Sequence, residues 1–236
     1  MVQINPISDI LSSPKNIRIK FRKVGKLQYI GHLDLVRTMT RALLRAHMPV
    51  WYSEGFNPRP KLNFATPMSV GAQSEYELLD IRINRDVVPD EVVSALNDNL
   101  PPELEVLTAY YPSTRFSDIA YSSYKILIVS EGATEETARV CERLLHTVPV
   151  TVFKKSKSGD RDVDISPYIY NVSTNFCNGV IFMDCILKAD NADFLNPEYI
   201  ITYLKREVGI LSSSPVREHY DIIRTGLYFS DMKPFE

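Results

Sequence analysis

Twice in succession the chain runs through one order of hydrophobic patterns: an alternating run, a stretch of helical periodicity, further alternating runs, a second helical stretch and a closing alternating run. Alternation sends every second side chain of a strand to one face, and recurrence at three and four residues lays a stripe along one side of a helix. Each block closes only if its helices cover one side of a sheet, which predicts an α+β protein of two tandem units.

The first block opens at Ile17 to Lys23, where Ile17, Ile19 and Phe21 alternate with Arg18, Lys20 and Arg22. This predicts a strand with one apolar face and a row of cations on the other. A helix is predicted from His32 or Leu33 to His47, with Val36, Met39, Leu43 and Leu44 as its apolar stripe. Arg37, Arg41 and Arg45 recur every fourth residue as a ridge on the opposite side, and Pro49 ends the helix. Val50 to Tyr52 and Lys61 to Ala65 read as extended segments joined by the proline-bracketed loop Gly55-Phe56-Asn57-Pro58-Arg59-Pro60. A strand from Tyr76 to Ile83, a helix opening at Pro89-Asp90-Glu91 and a strand from Leu104 to Tyr110 complete the block.

In the second block Tyr124 to Val129, Val150 to Lys154, Ile165 to Val172 and Val180 to Leu187 read as strands. Helices are predicted from Thr134 to His146 and from Asn196-Pro197-Glu198 to about Val208, and Val216 to Phe229 carries the last strand or hairpin. The charged stretch Lys154 to Ile165 reads as a hairpin or loop whose lysines extend a positive surface or are simply solvated. The expected fold is two tandem ferredoxin-like (βαββαβ) units with antiparallel sheets. The expected division is residues 1–16 as a flexible tail, 17–112 as the first unit with its basic segment, 113–122 as a polar linker and 123–236 as the second unit.

Net charge is only −2, but the sign is unevenly distributed along the chain. Between Lys15 and Lys61 eleven basic residues face Asp34 and Glu54 alone, a local excess of roughly nine positive charges. From Glu75 to Glu105 the acids dominate, which predicts one side attractive and one repulsive to a polyanion. The 3 cysteines, Cys141, Cys177 and Cys185, show neither a disulfide set nor a CxxC spacing and read as buried hydrophobes of a reducing compartment. No signal peptide and no run of about 18 apolar residues is present, so the expectation is a cytoplasmic protein without a membrane partner.

A nucleic-acid site needs cations for phosphates and flat side chains for bases. Candidates for phosphate contact are Arg18, Lys20, Arg22, Arg37, Arg41, Arg45, Arg59 and Lys61; Tyr29, Tyr52 and Phe56 are candidates for stacking, and Asn57 offers an amide. Trp51 and Tyr52 are adjacent, so alternation exposes only one of them. His32 and Asp34 sit at a helix start, where capping competes with a role for His32 as general acid or base. The histidines show no metal-binding spacing, and neither a metal nor a cofactor is expected.

The runs Tyr29-Ile30-Gly31-His32-Leu33-Asp34-Leu35-Val36-Arg37 and Tyr52-Ser53-Glu54-Gly55-Phe56-Asn57-Pro58-Arg59-Pro60-Lys61 resemble the radical-SAM-linked protein family of bacteria, a family of unassigned activity. Gly71, Ser74-Glu75-Tyr76-Glu77, Asp80, Val163 to Ile169 and Ile223 to Tyr228 are similar to it too. Arg59 stands where that family usually has histidine, which leaves a cation but removes a titrating ring. The chain lacks the CxxxCxxC that holds a radical SAM cluster, so the resemblance implies radical chemistry supplied by a partner enzyme.

The expected function is an RNA-binding accessory protein that presents tRNA or rRNA to a radical SAM modification enzyme, with an activity of its own left open. Two alternatives stay open: an RNA-processing or RNA-modifying enzyme using His32 as acid or base, and a protein-interaction scaffold for a radical SAM enzyme.

Overall fold

Ile17, Ile19 and Phe21 are wholly buried, as are Leu79, Ile81 and Ile83 on the strand beside them, and these two rows build the first sheet. The computed structural model describes residues 13–154, 159–190 and 193–236. The chain is a mixed α+β protein of mostly antiparallel strands with four α-helices among the described residues. It divides into one unit that runs to Phe116 and takes in Glu236, and a second, Ser117–Phe235.

Unit 1 comprises β1 (Lys15–Lys23), α1 (His32–Arg45), β2 (Leu62–Phe64), β3 (Ala72–Ile83), α2 (Pro89–Asn97) and β4 (Leu104–Tyr110). Its strands lie in the order β4-β1-β3-β2, every pair antiparallel. Leu35, Met39, Ala42 and Leu43 of α1 and Val92 and Leu96 of α2 cover the apolar face. Full burial of such a side chain is worth about 1.5–3 kcal/mol, whereas like charges four residues apart on a helix cost only a few tenths. Burial therefore fixes the orientation of α1, and the arginine ridge follows. The buried stripe is not the expected Val36, Met39, Leu43, Leu44: Leu44 is 52% exposed and Leu35 takes the first place. Val50 to Tyr52 is not a strand but two isolated bridges, Val50 to Ile83 and Tyr52 to Pro60.

The outer strand β4 is blunted by a helix side chain. Asn97 donates Nδ2–H to the Val106 carbonyl at 2.9 Å and accepts the Val106 N–H at 2.8 Å, as a neighbouring peptide group would. Residues 113–122, expected as a polar linker, contain the buried Phe116 and Ile119, and β5 already begins at Tyr121.

Unit 2 comprises β5 (Tyr121–Val129), α3 (Glu135–Leu145), β6 (Thr151–Lys154), β7 (Arg161–Asp164), β8 (Ile169–Cys177), β9 (Val180–Lys188), α4 (Glu198–Val208) and β10 (His219–Tyr228). Its main sheet has the order β10-β5-β9-β8, again antiparallel, and β6 and β7 pair separately as a hairpin. Thr134 caps α3 through a reciprocal pair of bonds with Thr137. Asn178 and Gly179, both at positive φ, turn β8 into β9, the conformation a tight two-residue hairpin demands. The expected strand Ile165 to Val172 is interrupted by a 3-10 turn at Ser166–Tyr168, where Pro167 has no N–H for a ladder. Lys155 to Ser158 of the charged stretch lie outside the described residues. The outer strand β8 is capped as β4 is: the Thr174 N–H donates to Glu142 at 2.6 Å and His146 Nε2 lies 2.9 Å from the Val172 carbonyl. Cys141 and Cys185 are buried as expected of apolar thiols, and burial raises the Cys141 thiol to about 11; Cys177, against expectation, is exposed.

The last strand starts three residues later than expected because the chain first wraps around Glu218. That buried carboxylate accepts bonds from Ser130 Oγ–H at 2.6 Å and from the N–H groups of Glu131, Ser213 and Ser214. These donors, led by the Ser130 hydroxyl, lower its pKa from 4.5 to about 2. A carboxylate depressed in the folded state stabilises the fold above its unfolded pKa and loses that contribution as pH falls through the folded value. Thermal midpoints of wild type and Glu218→Gln should therefore differ at neutral pH and converge as pH falls from about 4.5 towards about 2. A gap that stays constant over that range would contradict this account.

No helix among the described residues is long and apolar enough to cross a membrane.

Candidate nucleic-acid interface

Arg18, Lys20 and Arg22 of β1 face away from α1 and α2, but they do not form the open row that alternation suggests. Arg18 is wholly buried: its Nε and Nη2 bind the two Asp80 oxygens at 2.6 and 3.0 Å. Its remaining donors reach the hydroxyl and carbonyl of Thr114, and its guanidinium lies 4.3 Å from the Phe116 ring centre. Lys20 sits 3.8 Å above the Tyr76 ring, and Arg22 pairs with Glu105 at 2.6 Å. Arg18 is therefore corrected from a nucleic-acid contact to a structural ion pair. The reason is register: Asp80 on β3 stands directly opposite Arg18, and Glu105 on β4 directly opposite Arg22. Two acids of the acidic part of the sequence, Asp80 and Glu105, stand on the strands that flank the basic one, so part of the asymmetry along the chain is cancelled across the sheet.

The helix ridge fares differently. Arg37, Arg41 and Arg45 are all exposed. Arg37 holds Asp34 at 2.9 Å with both side chains about 60% open, a pair of small energetic weight. Arg41 and Arg45 have no carboxylate partner among the described residues. Because α1 packs on the face of Ile17, Ile19 and Phe21, its ridge and the β1 cations lie on opposite sides of the sheet and do not converge.

The loop after Tyr52 is clamped at its neck. Ser53 N–H donates to the Arg59 carbonyl at 2.8 Å, Arg59 N–H returns to Ser53 Oγ at 3.0 Å, and Lys61 N–H donates to the Trp51 carbonyl at 3.0 Å. Gly55, at φ +125, makes the turn that an L side chain rarely allows. At the tip Phe56 is fully exposed, with Asn57, Arg59 and Lys61 exposed around it. Trp51 is half-buried, with the Arg82 guanidinium 4.9 Å from its ring centre, and Tyr52 is the more open neighbour at 36%. Tyr29, closing a 3-10 turn at Gly25–Tyr29, is 68% exposed.

His32 is the first residue of α1, behind Gly31 as N-cap, and its ring meets Phe64 edge-on at 5.1 Å. It lines a recess with Lys23, Leu35, Phe64 and Glu77; the cavity measures about 10 Å³, room for about one water. Lys23 and Glu77 are only 3% and 4% exposed, and Lys23 Nζ donates to the Ala72 carbonyl at 3.1 Å. Reading the sequence for charge runs missed both. The available signal was phase: Lys23 continues the apolar set Ile17, Ile19, Phe21, and Glu77 continues Ile83, Ile81, Leu79, so each puts a charge on the core side of its strand.

Residues 16–197 match a family described as an uncharacterized protein conserved in bacteria (DUF2344). The chain belongs to this family. The DUF2344 segment takes in the recess, the α1 ridge and the clamped loop, and ends just before α4. A search of curated proteins found no match. Among solved structures the DUF2344 chain aligns with part of a Cbf5-Nop10-Gar1 complex at 9% identity, over 89% of this chain and 48% of that one, with a TM-score of 0.49. It thus spans about half the length of that chain. It also aligns with an unknown protein from Galdieria sulphuraria at 11% identity, over 90% and 99% of the two chains, with a TM-score of 0.26.

Proposed function

We propose that this protein binds RNA, tRNA or rRNA, through unit 1, and that it does so as an accessory to a radical SAM modification enzyme in the cytoplasm. The observation that carries the reading is a set of exposed cations, Arg41, Arg45, Arg59 and Lys61, for which the described residues offer no carboxylate, set on a rigid helix and a clamped loop. Cations already neutralised within the fold gain little from a phosphate, whereas these release counterions when they meet one. The footprint is accordingly α1 and the loop at 53–61, without Arg18. The radical SAM partner rests on the resemblance of the runs at Tyr29 and Tyr52, and a cytoplasmic setting on cysteines free of disulfide spacing. The strand orders β4-β1-β3-β2 and β10-β5-β9-β8 support reading each unit as ferredoxin-like. A mobility-shift assay with purified tRNA and rRNA tests the reading: retention at low salt that is lost as salt rises is expected, and absence of retention at any salt rejects it.

A second reading has its own observation, the pair of buried charges beside His32 at a helix start. In it, unit 1 acts on RNA with His32 as general acid or base. Wild type should then cleave or modify RNA, and His32→Ala should lower the rate by about 100-fold or more without loss of RNA retention. Equal rates in the two proteins would remove His32 from the chemistry.

A further inference from the structure

We infer that the RNA taken by unit 1 is one that presents an unpaired nucleotide, and that Phe56 stacks on its base. This rests on the RNA reading and narrows it. The ring of Phe56 is as open as a side chain can be, with a relative exposure of 112%, so its own chain covers neither face. Unlike Tyr29 and Tyr52, Phe56 carries no hydroxyl, so its only gain on binding is burial of a flat apolar surface. The loop that carries it is held at its neck by the bonds between Ser53 and Arg59, the bridge from Tyr52 to Pro60 and the prolines at 58 and 60. A loop ordered before binding spends little entropy on being ordered by a ligand.

In an RNA duplex the faces of the bases are covered by their neighbours, and the deep major groove admits no side chain. The surface that fits an isolated, protruding ring is an unstacked base in a loop, a bulge or a strand end. Such contacts tolerate any base, because every base has a π-face. Arg59 and Lys61, exposed on the returning limb of the same loop, are free to meet the flanking phosphates of that nucleotide, and Asn57 offers both a donor and an acceptor to a base edge. The loop is thus suited to gripping a single splayed nucleotide rather than tracking a helix.

Fluorescence anisotropy of the full chain at low salt would compare a stem-loop RNA with a fully paired duplex of equal length. The stem-loop should bind more tightly; Phe56→Ala should weaken it by roughly tenfold and leave the duplex unchanged. Phe56→Trp should retain stem-loop binding, and its added indole emission should be quenched by the stem-loop and not by the duplex. Equal affinity for the two RNAs together with an inert Phe56→Ala overturns this inference and leaves RNA binding standing. Failure of both RNAs to bind rejects the RNA reading itself. If Phe56→Ala keeps stem-loop affinity but loses a polypeptide that co-purifies with wild type, the ring belongs to a protein contact and the inference falls.

Discussion

Replacing Arg41, Arg45 and Lys61 together by glutamate is expected to weaken retention of tRNA by on the order of a hundredfold at low salt while leaving the thermal midpoint nearly unchanged. Each of these side chains is exposed, and no ion pair among the described residues is broken by its loss. Phosphate contacts add a term to the salt dependence of about 0.7 per contact for single strands and 0.9 for duplexes, so the log–log slope should fall by about two to three. Reversing Arg139, which pairs with Glu135 on α3 of the other unit, serves as the comparison for a mere change of net charge and should leave tRNA affinity within a factor of about two. If the triple variant binds as wild type does, α1 and the loop are not the interface, whatever else the protein holds.

Replacing Arg18 by methionine should instead unfold the protein more easily without touching binding in the molecules that remain folded. The substitution leaves the Asp80 carboxylate, 9% exposed, without its cation, and stranding one member of a buried pair costs about 3–5 kcal/mol. Urea denaturation should show a lower midpoint with an unchanged slope, the sign of lost stability rather than of an altered unfolded state. The double change Arg18→Met with Asp80→Leu should recover most of the loss, because two apolar side chains need no partner in that place. Should Arg18→Met keep its urea midpoint and lose tRNA affinity, Arg18 is a surface contact and the buried pair is not as described.

These two expectations separate cations that look equivalent along the chain. Arg18 and Arg41 both stand in strongly basic runs, each opposite an apolar stripe. What divides them is which element comes to lie across from each: β3 brings Asp80 to Arg18, whereas among the described residues no carboxylate comes to Arg41 on the exposed side of α1. His32 is a related case. Its position at the start of α1 was legible, but its neighbours Lys23 and Glu77 come from two other strands, and only pairing of β1 with β3 sets them beside it.

The sequence by itself determined the elements whose pattern is local and whose ends carry their own chemistry. β4 runs from Leu104 to Tyr110 as alternation predicts, α2 opens at Pro89, and Thr134 starts α3 as its cap. The clamped loop was also legible, since prolines fix the backbone and a glycine admits the turn other residues resist, wherever they occur. The phase of α1 was not: Leu35 and Leu44 serve an isolated helix equally well, and packing against the core of the sheet chose Leu35. Nor was the fate of each charge, because pairing energies depend on distances between strands that are far apart in sequence, and those distances exist only once the sheet has closed.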